Sequence, residues 1–304
     1  MTTTHRAETP MLRHCLAITA LLLAPLSQAG PLRDRLAERR EQAAPFEQIK
    51  DVAYGPHERQ RFDVYLPKPR PTAAPVILLV HGGGWRHGDK AADSVVEHKV
   101  RHWVGHGVIL VSTNYRLLPE AGPLEQADDV ARALAAVQRQ ADAWGGDASR
   151  LVLMGHSAGA HLVALLGASP ERVTAAGARP WTATVSLDSA ALDLPAIMQR
   201  PHLRLYDQAF GDDPTHWRAA SPLHQQRTAG PPLLAVCSTE RRDGPCPNAE
   251  AFAAVARPLG MRVEILPQAR SHREINVDLG RDSAYTGAVD AFLRSVDARW
   301  PAAR

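Results

Sequence analysis

Cysteine is scarce in this chain: three residues in 304. None has the neighbouring Cys or His spacing that holds zinc, which excludes a structural zinc module. Net charge is also small, with 35 Lys and Arg against 32 Asp and Glu, giving +3. No basic tract is long enough to neutralise a run of phosphates, so nucleic acid is excluded as a partner. The short pairs Arg39-Arg40 and Arg241-Arg242 read as solvated surface. There is no long apolar run either. The longest, residues 16–26, is too short and is broken by Pro25, so it makes a poor membrane span. Internal repeats and low-complexity segments are absent. What remains is ample apolar content, 45% of residues, enough for one large core in a chain of this length.

The N-terminal stretch MLRHCLAITALLLAPLSQAG, from Met11, has a basic start, an apolar centre and a small-x-small ending at Ala29. That is the pattern of a secretory signal peptide. We expect residues 1–29 to be a signal removed after Ala29, with Met11 or Met1 as the start, and the mature protein to be secreted or periplasmic without a stable membrane anchor. An uncleaved anchor is the alternative. Cys15 would leave with the signal. Cys237 and Cys246 remain, nine positions apart, and can form a disulfide in an oxidising compartment or stay as two thiols.

Residues 30–48 read as a charged leader, and residues 49–304 as one catalytic domain. Within the domain, IKDVAYG and RQRFDVYLP look like two antiparallel strands joined by a tight turn. PVILLVHG, GVILVSTNYR, RLVLMGHS, WTATVSLDS, PPLLAVCST and RVEILPQA are further strands. Helical segments at 95–107, 124–145, 158–169, 248–260 and 283–300 alternate with them. The 124–145 helix is the clearest, with Val130, Leu134 and Val137 on one face. Alternation of this kind predicts an α/β fold, a mostly parallel central sheet with helices on both faces. Residues 190–230 have little strand character and read as a small cap insertion.

At the end of RLVLMGH, Gly155-His156-Ser157-Ala158-Gly159 fits G-x-S-x-G, a sharp strand-to-helix turn that lifts a serine into the open. Both flanks match that context. A serine hydroxyl needs a base and an orienting acid to become a nucleophile. His272 lies just past the last strand and is the candidate base. His161, His216 and His224 fall in a helix or in the insertion. The acid is expected after the preceding strand, in STERRDGP, at Asp243 or alternatively Glu240. If Cys237 and Cys246 are bonded, they staple that loop. Upstream, HGGGW follows a buried strand. Its glycines allow backbone N–H groups to face one point, so Gly83, Gly84 and Ala158 are the candidate oxyanion hole. Trp85 beside them is either a wall of the substrate pocket or core.

These residues resemble the α/β-hydrolase superfamily, in the esterase/lipase group with an HGGG motif that includes hormone-sensitive-lipase-like enzymes. HGGGWRHGDK, STNYRLLPE, WGGDASRLVLMGHSAGAHL and the Ser-His before the last helix look most like its feruloyl-esterase-like and kynurenine-formamidase-like branch. The similarity runs from about residue 50 to the end. It implies an α/β-hydrolase fold with Ser157 as nucleophile, His272 as base, Asp243 as acid, and Gly83, Gly84 and Ala158 at the oxyanion. The chain departs from the family at the acid, where CSTERRD stands in place of a histidine-glycine-threonine stretch followed by Asp.

The expected activity is two-step acyl transfer on small or aryl carboxylic esters, with no cofactor and no metal, and a small-molecule ester as the substrate. An amide hydrolase of the arylformamidase or peptidase type is the alternative, and a non-catalytic binding protein a third. In the insertion, Met198, Tyr206, Phe210 and Trp217 are candidate apolar contacts, equally able to be local core.

Overall fold

The seven residues APVILLV of β3 (Ala74–Val80) are all buried, and their alternation explains the layering. Successive side chains of a strand point to opposite faces. Val76, Leu78 and Val80 enter one apolar core with Val130, Leu134 and Leu162. Ile77 and Leu79 enter a second core with Val96, Val100, Val289 and Leu293. A strand covered on both faces must be apolar throughout, as this one is.

The computed structural model describes residues 1–3 and 46–302. The expected signal peptide and nearly all of the leader lie outside the described residues. Pro45–Arg304 forms one compact unit. Its strands are β1 (Phe46–Ala53), β2 (Arg61–Pro67), β3, β4 (Ile109–Thr113), β5 (Gly146–His156), β6 (Ala183–Leu187), β7 (Leu233–Ser238) and β8 (Val263–Gln268). They form a single sheet in the order β1-β2-β4-β3-β5-β6-β7-β8. β1 pairs antiparallel with β2, and β2 with β4; every other pairing is parallel.

The helices that cover the sheet begin with α1 (Asp93–Trp103), α2 (Pro123–Gln140), α3 (Ala158–Ala168) and α4 (Pro170–Ala175). Between β6 and β7 come α5 (Leu194–Met198), α6 (Arg204–Phe210), α7 (Pro214–Ala219) and α8 (Pro222–Gln225). The chain closes with α9 (Pro245–Ala256), α10 (His272–Val277) and α11 (Ala284–Val296). Pro123 at the first turn of α2 fits there because its missing N–H would have no partner in any case. Among the described residues, no helix is long and apolar enough to cross a membrane.

The structure moves one boundary of the sequence reading and adds detail at two other places. β1 begins at Phe46, so the last three residues assigned to the leader pair with β2. The stretch after β8 that carries His272 is the short helix α10, started by a capping box in which Ser271 and Glu274 bond each other's backbone N–H. The insertion, with little strand character as expected, is four short helices, each with a proline in its first turn except α6.

Candidate active site

Ser157 sits between β5 and α3 with φ 56° and ψ −116°, a conformation that costs on the order of 1–3 kcal/mol outside glycine. The surrounding sequence makes that turn feasible. A Cβ on Gly155 would lie 2.3 Å from the Gly159 carbonyl oxygen, and one on Gly159 would lie 2.3 Å from that of Val80. Both glycines of G-x-S-x-G are therefore required by space, one within the turn and one against β3. The Ser157 N–H donates to the Leu187 carbonyl at 2.9 Å, which ties the turn to the end of β6.

His272 is the first residue of α10, so the capping box at Ser271 and Glu274 fixes its backbone. Its Nε2 lies 2.9 Å from Ser157 Oγ. His156 braces it from the other side: the rings are 4.6 Å apart, and His156 Nε2 is 3.0 Å from the His272 carbonyl. Burial, with the His272 ring beside it, pushes the His156 pKa down to about 3. The ring therefore stays neutral and donates to that carbonyl.

The acid is where the sequence expectation and the structure part. Asp188, at the end of β6, puts Oδ2 2.6 Å from His272 Nδ1 and is completely buried. Its Oδ1 accepts the Ser238 N–H at 2.7 Å. Burial alone would push this carboxyl up, but the bonds from His272, Arg241 and Ser238 outweigh it and hold the pKa below the usual carboxylate range. Asp243 makes no such bond. Both its oxygens are taken by Arg241, whose Nη1 reaches Asp188 Oδ2 at 2.8 Å. Glu240 is exposed. Asp243 and Glu240 are thus both corrected as the partner of His272. The strand expected to precede the acid, β7, is one place further along the sheet than the strand that carries it. The signal for Asp188 was present, an aspartate ending the apolar run ATVSL.

Arg241 Nη1 also lies 2.9 Å from His272 Nδ1. An arginine can only donate, and Nδ1 carries the proton given to Asp188. The approach is therefore a charge contact, not a second hydrogen bond. Cys237 and Cys246 are joined by a disulfide with their Cα atoms 5.1 Å apart, and the bond closes the loop that carries Arg241 and Asp243.

Gly82, Gly83, Gly84, Ser157, Ala158, Asp188 and His272 line one cavity of about 750 Å³. Gly83 has φ 127°, and a Cβ there would fall 2.1 Å from the His87 carbonyl oxygen, so only glycine allows this loop to fold back on itself. Trp85 is both wall and core: it lines the cavity, is 3% exposed, and bonds His161 through its indole N–H at 3.2 Å. Of the apolar candidates in the insertion, Tyr206 reaches the cavity. Phe210 packs on Trp85 at 4.9 Å, and Met198 and Trp217 lie against the core.

A nucleophile elbow at the C-terminal end of β5, a histidine after β8 and a buried acid between them, on a sheet of this order, define an α/β-hydrolase. The comparisons agree. The BD-FAE family model matches residues 62–193. A probable isoprenylcysteine alpha-carbonyl methylesterase of Oryza sativa subsp. japonica is 32% identical over 116 residues, 38% of this chain and 27% of that protein. Esterase LipC of Mycobacterium tuberculosis is 28% identical over 220 residues, 68% of this chain and 54% of that protein. The chain thus spans about a quarter to a half of the length of these relatives. A truncated carbohydrate esterase from gut microbiota superposes with a TM-score of 0.71 at 18% identity, covering 84% of this chain and 98% of that one. The chain has the α/β-hydrolase fold, and over residues 62–193 it is similar to the BD-FAE family.

Proposed function

We propose that the protein is a serine carboxylesterase acting on small or aryl esters through Ser157, His272 and Asp188. The observation that carries this is the unbroken line of short contacts from Ser157 Oγ through the His272 ring to the buried Asp188 carboxylate. With Nδ1–H given to Asp188, the Nε2 lone pair faces the serine hydroxyl and can accept its proton as Oγ attacks the ester carbonyl. The N–H groups of Gly83, Gly84 and Ala158 receive the developing oxyanion, each worth about 3 kcal/mol in the transition state. His272 then protonates the leaving alcohol and later takes a proton from water as it attacks the acyl-enzyme, returning Ser157 and releasing the acid. Each step uses only these side chains, water and substrate.

Export is part of the proposal. The signal-like N-terminus and the Cys237–Cys246 disulfide both suit an oxidising compartment. The exported protein should begin at Gly30 on N-terminal sequencing, and an unprocessed N-terminus would count against export.

The test of function is hydrolysis of p-nitrophenyl acetate, methyl ferulate and N-formylkynurenine by wild type and by Ser157→Ala. Ester turnover that disappears in the variant is expected. Activity confined to the formyl amide would replace the esterase reading with an amidase one, and ester turnover surviving in Ser157→Ala would remove the mechanism.

A further inference from the structure

Beside the catalytic cavity lies a second one of about 440 Å³, and the two share Ala190, Leu203, Tyr206, Arg242 and Asp243. Its walls combine apolar surface with cation. Ile197 and Leu203 supply the first, Arg200 and Arg242 the second. Leu203 is 57% exposed, one of few large apolar side chains among the described residues left so open. Among the described residues, neither the Arg200 nor the Arg242 side chain makes an ion pair or hydrogen bond. Asp243, the one acid of this chamber, is fully engaged by Arg241, and the His202 ring is taken by Asp207 and the Arg200 carbonyl. Asp89 lines only the catalytic chamber, where Asn114 and the Ala91 N–H hold it.

The Tyr206 hydroxyl points to the same occupant. The residue is 6% exposed and lines both chambers, yet its hydroxyl has no hydrogen-bond partner among the described residues. It lies within electrostatic reach of Asp243, Arg241 and Arg200, and burial pushes its pKa up to about 12, so it keeps its proton and remains a donor. The exposed Arg200 and Arg242 side chains and the Tyr206 hydroxyl are thus three donors with no acceptor among the described residues, open to a ligand that enters the chamber.

Resting on the esterase reading above, we infer that the second chamber binds the remote end of the substrate, and that this end is a carboxylate carried on an apolar or aryl body. The body packs on Ile197 and Leu203. The carboxylate accepts from the Arg200 and Arg242 guanidinium groups and the Tyr206 hydroxyl, which makes the preferred substrates half-esters or esters of acid-bearing alcohols.

Paired esters of equal shape test this. One arm places the charge on the acyl side, comparing mono-p-nitrophenyl glutarate with p-nitrophenyl valerate. The other places it on the leaving group, comparing 4-acetoxybenzoate with its methyl ester. In one arm, wild type should favour the charged member in kcat/KM by at least about tenfold, the ratio one charge-assisted hydrogen bond supplies, and the arm identifies which half of the ester enters the chamber. Arg200→Gln/Arg242→Gln should erase that preference through KM and leave the neutral member within about twofold. Added salt should weaken it. Tyr206→Phe should lower it in part. A wild type that favours the neutral ester in both arms, or a double variant that loses both members equally, overturns the inference while leaving the esterase reading intact. A wild type inert on all four esters takes down both.

Discussion

Exchanging the two aspartates for asparagine separates the acid seen in the structure from the one expected from the sequence. In Asp188→Asn, the Ser238 N–H now bonded at 2.7 Å holds the amide carbonyl oxygen. The NH₂ is then turned toward His272 Nδ1, 2.6 Å from the present Oδ2. To accept from that NH₂, Nδ1 must give up its proton. The ring is left as the Nε2–H tautomer, which cannot take the Ser157 proton. In the serine-protease template the equivalent change lowers kcat by about 10⁴, or about 5.5 kcal/mol of barrier, and the same loss is expected here. Asp243→Asn removes an anion from Arg241 but leaves Asp188 bonded to both Arg241 and His272, so a loss of no more than about tenfold is expected. Initial rates on p-nitrophenyl acetate give the comparison, with thermal melts to show that both variants fold. A collapse in Asp243→Asn with Asp188→Asn within tenfold of wild type would refute the assignment.

The HGGG loop, the neutral histidines and the disulfide give three more expectations. Gly83→Ala drives a methyl to 2.1 Å from the His87 carbonyl and should cost about 10²–10³ in kcat by displacing an oxyanion donor. Gly84→Ala meets no atom within 4 Å and should show only the left-handed strain, about 1–2 kcal/mol. Equal losses in the two would show that space is not the reason for Gly83. His81 and His161, buried, and His156, half-buried at the cavity wall, are neutral, with desolvation lowering their pKa values to about 4, 4 and 3. Above pH 6.5 neither state is protonated at these sites. Between about 6.5 and 4 the unfolded chain binds the extra protons, so stability falls on acidification by about 1.4 kcal/mol per pH unit per histidine. The depressed Asp188 carboxyl adds its loss lower still, as pH drops through its own pKa. Urea midpoints that stay level from about pH 7 to pH 5 would contradict this. Cys237→Ala/Cys246→Ala opens a nine-residue separation and should lower stability by about 2–3 kcal/mol on loop entropy. An unchanged urea midpoint at neutral pH would show that the bond contributes nothing.

Local pattern carried most of this protein. Apolar runs between turn residues marked the strands of the sheet, because a strand buried on both faces has no other composition open to it. Gly155 and Gly159 marked the elbow, and the position of His272 past the last strand marked the imidazole that meets Ser157. Ser271 and Glu274 also encode α10, since a capping box needs only residues three apart. The acid was a different problem. Asp188 and Asp243 each follow a parallel strand, and nothing within either segment says which of two adjacent strand ends faces the imidazole. That choice depends on the register of β6 against β5, which puts the Leu187 carbonyl on the Ser157 N–H. It depends equally on Arg241, which engages both oxygens of Asp243 and bonds Asp188. The second chamber is likewise a product of tertiary structure, because Arg200, Tyr206 and Arg242 meet only when the four short cap helices fold over the ends of the strands. Sequence alone determined the strand-to-helix turn at Ser157, whose backbone strain demands glycines. Tertiary structure decided which carboxylate meets His272 and what lines the cavity, because contacts between distant segments leave no local trace.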